Sequence, residues 1–138
     1  MTATAGRGRR RSRSSLAIVE QAYRGSLEEQ YGHIVWLSRV MRQMGADHAL
    51  LLKADTVLFA RRDQPAPLLT LGGLTIDGLS HHESGVAALV AANVPVYAWR
   101  PDLHRLRLSP ADLIDGVESV DEADMPTLIH HFNNVWYW

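Results

Sequence analysis

The chain has 138 residues, of which 46% are hydrophobic and 21% are charged, and it contains no cysteine. This length fits one domain, and the composition excludes a wholly disordered chain. Without cysteine, the chain holds no disulfide, no thiolate nucleophile, no persulfide and no cysteine-bound zinc. No apolar run reaches the roughly 18 residues of a membrane span, and the Arg-rich start lacks the apolar part of a secretory signal. We therefore expect a cytoplasmic protein without a membrane partner.

The formal charge of −1 is unevenly distributed, because five of the 14 basic residues lie in the first 13 positions. Residues 1–14 have no apolar periodicity and are predicted to form a disordered arm, followed by one domain over residues 15–138. Clustered arginine can bind the phosphates of nucleic acid. The acidic body and the lack of interleaved aromatic residues disfavour nucleic acid as a partner. The arginines of the arm are Arg7, Arg9, Arg10, Arg11 and Arg13.

The first half of the domain begins with the apolar run Leu16–Val19, which predicts a buried strand. Ser26 and Glu29 have capping-box spacing and are predicted to open a helix that ends at Gly45. We expect one helical stripe to face the core. The residues of this stripe are Ile34, Leu37, Met41 and Met44.

The middle of the chain contains a second apolar run, Ala49–Leu52, which predicts another strand. The stretch Thr56–Ala60 either continues that strand or begins a short helix. A polar, proline-containing loop is predicted over Arg61–Pro67. The following stretch, Leu68–Ile76, is interrupted by Gly72 and Gly73 and is also predicted to be a loop.

A second capping-box match, Ser80 with Glu83, predicts a helix whose buried face carries Val86, Leu89 and Val90. Asn93 is the expected end of this helix. The next segments are a third strand at Val94–Trp99, a polar loop from Trp99 to Ser109, a short helix from Pro110 to Gly116, a connector or short strand at Val117–Val120, a last helix at Asp124–Phe132 and an aromatic strand at Val135–Trp138.

The alternation of strands and helices predicts an α/β fold, a three-layer α/β/α sandwich around a mainly parallel sheet. Ligand sites in such sheets lie at the carboxyl ends of the strands. We therefore expect a crevice formed by polar and aromatic side chains that follow these ends. Its candidate residues are Tyr23, Lys53, Asp55, Trp99, Asp102 and His104.

The seven histidines raise the question of a metal site. Adjacent histidines on a helix point about 100° apart, so neither His81–His82 nor His130–His131 is suited to chelate one ion. We expect no metal and no cofactor, and only a site formed by His82, Glu83 and His104 would merit a test. His82 or His104 could instead act as a general acid or base in a repurposed enzyme.

The aromatic carboxyl-terminal residues Trp136, Tyr137 and Trp138 are poorly suited to open water at a sheet edge. Aromatic residues are enriched at protein interfaces. We therefore expect these three residues to be buried in a homo- or hetero-oligomer.

The order of several short motifs from about Leu16 to Trp138 resembles the DsrE/DsrF/TusD-type sulfur relay family. The order and spacing of the motifs carry the resemblance. The motifs are Ala22–Gly25, Met44–Ala46, Leu52–Val57, Leu108–Glu118 and Val135–Trp138.

The resemblance implies a five-stranded parallel sheet, oligomeric assembly and a role in bacterial cytoplasmic sulfur trafficking. It also implies a persulfide cysteine in the loop after the strand that ends at Trp99. In this chain Ala98, Trp99 or Asp102 takes the place of that cysteine, depending on the register. Hetero-oligomeric relay complexes include subunits of this fold that do not carry sulfur.

Two functions from different classes follow. The first is a non-carrier subunit that assembles with DsrE/DsrF/TusD-like subunits or with a sulfur-carrier protein. The second is a small-ligand-binding protein or enzyme that uses the His and Asp residues of the crevice. A crevice filled by Trp99 would favour the first function, and a substrate-shaped apolar pocket would favour the second.

Overall fold

A computed structural model describes residues 14–20, 29–66, 68–76 and 81–137 of the chain. Several predictions fall outside these ranges. They concern the Arg-rich arm before Ser14, the crevice residue Tyr23, the helix caps Ser26 and Ser80, and the aromatic residue Trp138.

The described ranges form seven strands, four α-helices and three short 3₁₀ helices. The strands are β1 (Ser14–Val19), β2 (Asp47–Leu52), β3 (Leu69–Leu71), β4 (Leu74–Ile76), β5 (Val96–Trp99), β6 (Glu118–Val120) and β7 (Asn134–Tyr137). The α-helices are α1 (Glu29–Gln43), α2 (His82–Ala91), α3 (Arg100–Arg105) and α4 (Met125–His131). The 3₁₀ helices are Ala54–Ala60, Pro110–Asp112 and Glu122–Asp124.

Five of these strands form one parallel sheet in the order β6-β5-β2-β1-β7. The central strands β1 and β2 pair over six residues, from Ser14 opposite Asp47 to Val19 opposite Leu52. Their apolar runs are continuous because a parallel sheet between helix layers is buried on both faces. The predicted α/β sandwich with a five-stranded parallel sheet is confirmed.

One face of the sheet is covered by α1, α2, α3 and the 3₁₀ helix Ala54–Ala60. The strands present Ala17, Val19, Leu50 and Leu52 to these helices, and all four side chains are buried. The opposite face presents Leu16, Ile18, Ala49 and Leu51, which pack against α4 and the residues that follow it. The two faces are therefore covered unequally.

The stripe predicted on α1 is correct only at its start. Ile34 is buried, but Met44 is 82% exposed, because α1 ends at Gln43 and Met44 lies in the following turn. Gly45 adopts φ +85°, a left-handed conformation that favours glycine at the end of a helix. The end of the helix was thus predicted correctly, although its last apolar residue does not reach the core.

Two segments predicted as loops are regular structure. Leu69–Leu71 and Leu74–Ile76 form an antiparallel hairpin across Gly72, which adopts φ +61°. Arg100–Arg105 forms α3, which buries Leu103 in the core. The short helix predicted from Pro110 to Gly116 is limited to the single turn Pro110–Asp112. Within the described ranges, no helix is both long and apolar enough to cross a membrane.

Candidate functional site

Lys53, the first residue after β2, lies at the carboxyl edge of the parallel sheet, where β1 and β5 also end. Its ammonium nitrogen lies 3.7 Å from Oε1 of Glu20, which follows β1. The same nitrogen lies 4.9 Å from the centre of the Trp99 ring, at the end of β5. This distance allows a cation–π interaction. The three strand ends are thus joined through one cation, and Trp99 is half-buried beside it.

Asp102 connects α3 with the end of β2. Its Oδ2 accepts a hydrogen bond of 2.6 Å from the backbone nitrogen of Ala54, and its Oδ1 lies 3.3 Å from Nε of Arg105. Arg105 also donates a 2.8 Å hydrogen bond to Asp55, and this bond is the main cause that raises the pKa of Arg105. Ala54 adopts φ +51°, a backbone conformation that is unfavourable for residues other than glycine. The hydrogen bond from its nitrogen to Asp102 therefore stabilises a strained turn.

Thr56, which is fully buried, also stabilises the turn that contains Lys53. The Thr56 hydroxyl lies 2.5 Å from the carbonyl oxygen of Val19 and 2.6 Å from that of Lys53. Both oxygens only accept, so the single hydroxyl proton is shared between them. The backbone at the ends of β1 and β2 is therefore fixed, which positions Lys53 and Asp55.

The structure brings together four of the six predicted crevice residues: Lys53, Asp55, Trp99 and Asp102. His104 lies exposed on α3, and Tyr23 lies outside the described ranges. Arg105, predicted only as part of the polar loop from Trp99 to Ser109, is the residue that joins Asp55 to Asp102.

The three candidate positions of the missing cysteine differ in accessibility. Ala98 is fully buried in the core between the sheet and the helices. Trp99 and Asp102 are half-buried at the crevice. A thiol at the first position would thus be sealed from solvent, whereas one at either of the other two would face the crevice.

Two of the three metal candidates, His82 and Glu83, have other contacts. The His82 ring stacks on Phe59, with a distance of 3.9 Å between ring centres, and burial lowers the pKa of His82. Glu83 accepts hydrogen bonds from the backbone nitrogens of Asp63 and Gln64. Among the described residues, no three His, Asp or Glu side chains are arranged to hold a metal ion.

A buried polar network at the other end of the sheet was not predicted. The His48 ring lies 2.7 Å from the hydroxyl of Ser15 and 2.9 Å from that of Ser38, and all three residues are buried. Ser38 donates its proton to the carbonyl oxygen of Ile34, so it accepts a hydrogen bond from Nε2–H of His48. Nδ1 then accepts from Ser15, and burial lowers the pKa of His48. Ser15 and His48, which directly precede the two apolar runs, were the signal for this network.

Comparison with solved structures supports the topology. The YchN protein of E. coli matches with a TM-score of 0.70 and 20% identity, over 92% of this chain and 99% of that one. The fold is DsrE-like. The protein MTH1491 from Methanobacterium thermoautotrophicum matches with a TM-score of 0.58 and 15% identity, over 88% of this chain and 95% of that one. No protein-family model matches the chain, and no curated protein does. At these identities the likeness concerns the fold.

Proposed function

We propose that this chain is a non-carrier subunit of an intracellular sulfur relay, which assembles with a cysteine-bearing protein of the same DsrE-like fold. The observation that carries this proposal is the composition of the crevice. A chain of this fold without cysteine holds Trp99 and Lys53 at the edge where the family resemblance implies a persulfide. Sulfur would therefore be carried by the partner.

The ion pairs of the crevice support a structural role rather than catalysis. Asp55 and Asp102 both pair with Arg105, and Lys53 contacts Glu20 and Trp99. Charges that are paired in this way fix the ends of strands and the start of α3. The acid–base alternative relied on His82 and His104, of which the first stacks on Phe59 and the second is exposed on α3.

The surface that we assign to assembly is the edge strand β7. Among the described strands it pairs with β1 alone, so within that part of the chain the other side of its backbone has no partner strand. Trp136 is 38% exposed and Tyr137 is 69% exposed on this strand. A partner chain that covers these rings would remove an apolar edge from water.

The proposal can be tested by treating the complex that co-purifies with this chain with inorganic polysulfide. Intact-mass spectrometry then locates the added sulfur atoms. We expect them on a cysteine of the partner, with this chain unmodified and still bound. A purified complex in which no protein takes up sulfur would contradict the proposal.

A further inference from the structure

An open cleft of about 470 Å³ lies at the amino edge of the sheet, opposite the crevice of the proposed function. It is formed where the amino ends of β1, β2, β5 and β7 meet the carboxyl ends of α1 and α4. This volume is in the range of small-molecule sites. The residues that line it are Ser14, Arg42, Asp47, His48, Pro95, His131, Phe132 and Asn133.

The cleft contains one full charge of each sign. Nη1 of Arg42 lies 3.5 Å from Oδ1 of Asp47, and Nε of Arg42 lies 3.4 Å from the carbonyl oxygen of Ala92. Both distances are at the long limit of hydrogen bonding. Nη2 of Arg42 has no hydrogen-bond partner among the described residues. The guanidinium therefore retains donors for a ligand.

His131 provides a second donor at the end of α4. Its ring packs edge-on against Phe132, with 5.2 Å between ring centres. Within the described part of the chain, neither ring nitrogen of His131 has a hydrogen-bond partner. The Phe132 ring and Pro95 supply apolar surface in the same cleft. Arg42 and His131 thus suit an anionic group, and the ring suits an apolar one.

The carboxylate of Asp47 restricts the ligand further. It is about half exposed and lies in the same wall as Arg42. A simple anion would be repelled by Asp47, and a simple cation would be repelled by Arg42. A molecule with both charges satisfies both side chains, with its anionic group at Arg42 and its cationic group at Asp47.

We propose that this cleft binds a small zwitterion of the α-amino acid class, with an apolar side chain against Phe132 and Pro95. The carboxylate of the ligand takes the free donors of Arg42 and His131, and its ammonium group pairs with Asp47. This site lies at the edge of the sheet opposite Lys53 and Trp99, so it does not depend on the proposed function.

The test is a calorimetric and NMR titration of the full chain at pH 7 with three probes that share the isobutyl side chain. L-leucine carries both charges, 4-methylpentanoate carries only the carboxylate, and 3-methylbutylamine carries only the ammonium group. We expect leucine to bind at least about tenfold more tightly than either single-charge probe, because each lost pair is charge-assisted. Its titration should shift the amide signals of Asp47 and Asn133.

Two variants and a matched control locate the site. Arg42→Gln and Asp47→Asn should each weaken leucine binding at least about tenfold. Arg39→Gln removes an exposed arginine from the same helix, outside the cleft, and should leave binding unchanged. The proposal is overturned if leucine does not bind at millimolar concentration, if a single-charge probe binds as tightly, or if the two cleft variants behave like Arg39→Gln. Dispersed amide spectra establish that each variant is folded.

Discussion

The ammonium nitrogen of Lys53 lies 4.9 Å from the centre of the Trp99 ring, so the only lysine of the chain covers the end of β5. In the proposed function, this contact occupies the place where a carrier protein would hold a persulfide. The contact also provides the conditions in which an introduced thiol would be activated, because a nearby cation favours the thiolate.

A cysteine placed at Trp99 should be reactive, whereas one placed at Ala98 should be protected. Trp99 is half-buried at the crevice, while Ala98 is fully buried. We expect Trp99→Cys to react with an aromatic disulfide reagent at least about tenfold faster than Ala98→Cys, because a buried thiol reacts only after local opening. Equal rates for the two folded variants would show that the crevice is not arranged as described.

The activation of that thiol should depend on Lys53. In the Trp99→Cys background, Lys53→Gln should raise the thiol pKa by about one unit, because a nearby positive charge that favours the thiolate is lost. The measurement is thiolate absorbance as a function of pH. Arg39→Gln in the same background is the control, since it removes an exposed cation of α1. A thiol pKa that is the same with and without Lys53 would argue against the contact.

Asp102 should contribute to stability through the strained turn at Ala54. Its carboxylate accepts the 2.6 Å hydrogen bond from the Ala54 nitrogen, and its side chain is 19% exposed. We expect Asp102→Ala to lower the free energy of unfolding by about 1–3 kcal/mol in urea denaturation. Glu122→Ala, at an exposed position, should change it by less than about 0.5 kcal/mol. If Asp102→Ala leaves the free energy of unfolding unchanged, the Asp102 carboxylate does not stabilise the turn at Ala54.

Acid should destabilise the fold through His48. Burial lowers the pKa of His48 from its ordinary value of 6.5, so the folded state keeps the ring neutral. As the pH falls below about 6.5, the unfolded chain binds a proton that the folded chain does not. Above about pH 6.5 this group therefore does not change the free energy of unfolding. Below that pH the free energy of unfolding decreases as the pH is lowered, by at most about 1.4 kcal/mol per pH unit.

The measurement is the free energy of unfolding between pH 7.5 and 5 for the wild type and for His48→Gln. The variant should be less stable at neutral pH, since the hydrogen bonds to Ser15 and Ser38 are altered. The free energy of unfolding of this variant should also depend less on pH below about 6.5 than that of the wild type. The pKa of His82 is lowered as well, so a residual slope of the same sign is expected. If the free energy of unfolding changed with pH equally in His48→Gln and in the wild type, His48 would not be a source of the acid destabilisation.

Assembly should depend on the exposed rings of β7. Truncating Val135–Trp138 would also remove the strand that pairs with β1, so a point substitution is the cleaner test. We expect Tyr137→Ser to reduce the assembly mass in sedimentation analysis, because the ring is 69% exposed on an edge strand. Met44→Ser, at a residue that is 82% exposed after α1, is the control and should not change the mass. If the wild-type protein sediments as a monomer, the proposed interface at β7 is wrong.

The central strands were predictable because their physical signal is local. Leu16–Val19 and Ala49–Leu52 are continuous apolar runs, and both lie in the middle of a sheet buried on two faces. The hairpin Leu69–Ile76 was missed for the opposite reason. Its strands have three residues each and carry exposed leucines. The positions of its apolar residues therefore do not indicate which side of each strand is buried.

The site was only partly predictable, because its contacts join distant segments. The sequence predicted that Lys53, Asp55, Trp99 and Asp102 meet at the carboxyl edge, since parallel strands end together. It could not predict that Asp102 accepts from the Ala54 nitrogen, 48 residues away in the chain. That contact and the burial of Leu103 attach α3 to the rest of the domain.

The most direct test of the central claim is native mass spectrometry of the untagged protein purified from its own cells under mild conditions. The proposed function predicts a hetero-oligomer in which this chain is bound to a cysteine-bearing protein of similar size. A homo-oligomer or monomer, with no cysteine-bearing partner at any stage of the purification, would contradict it.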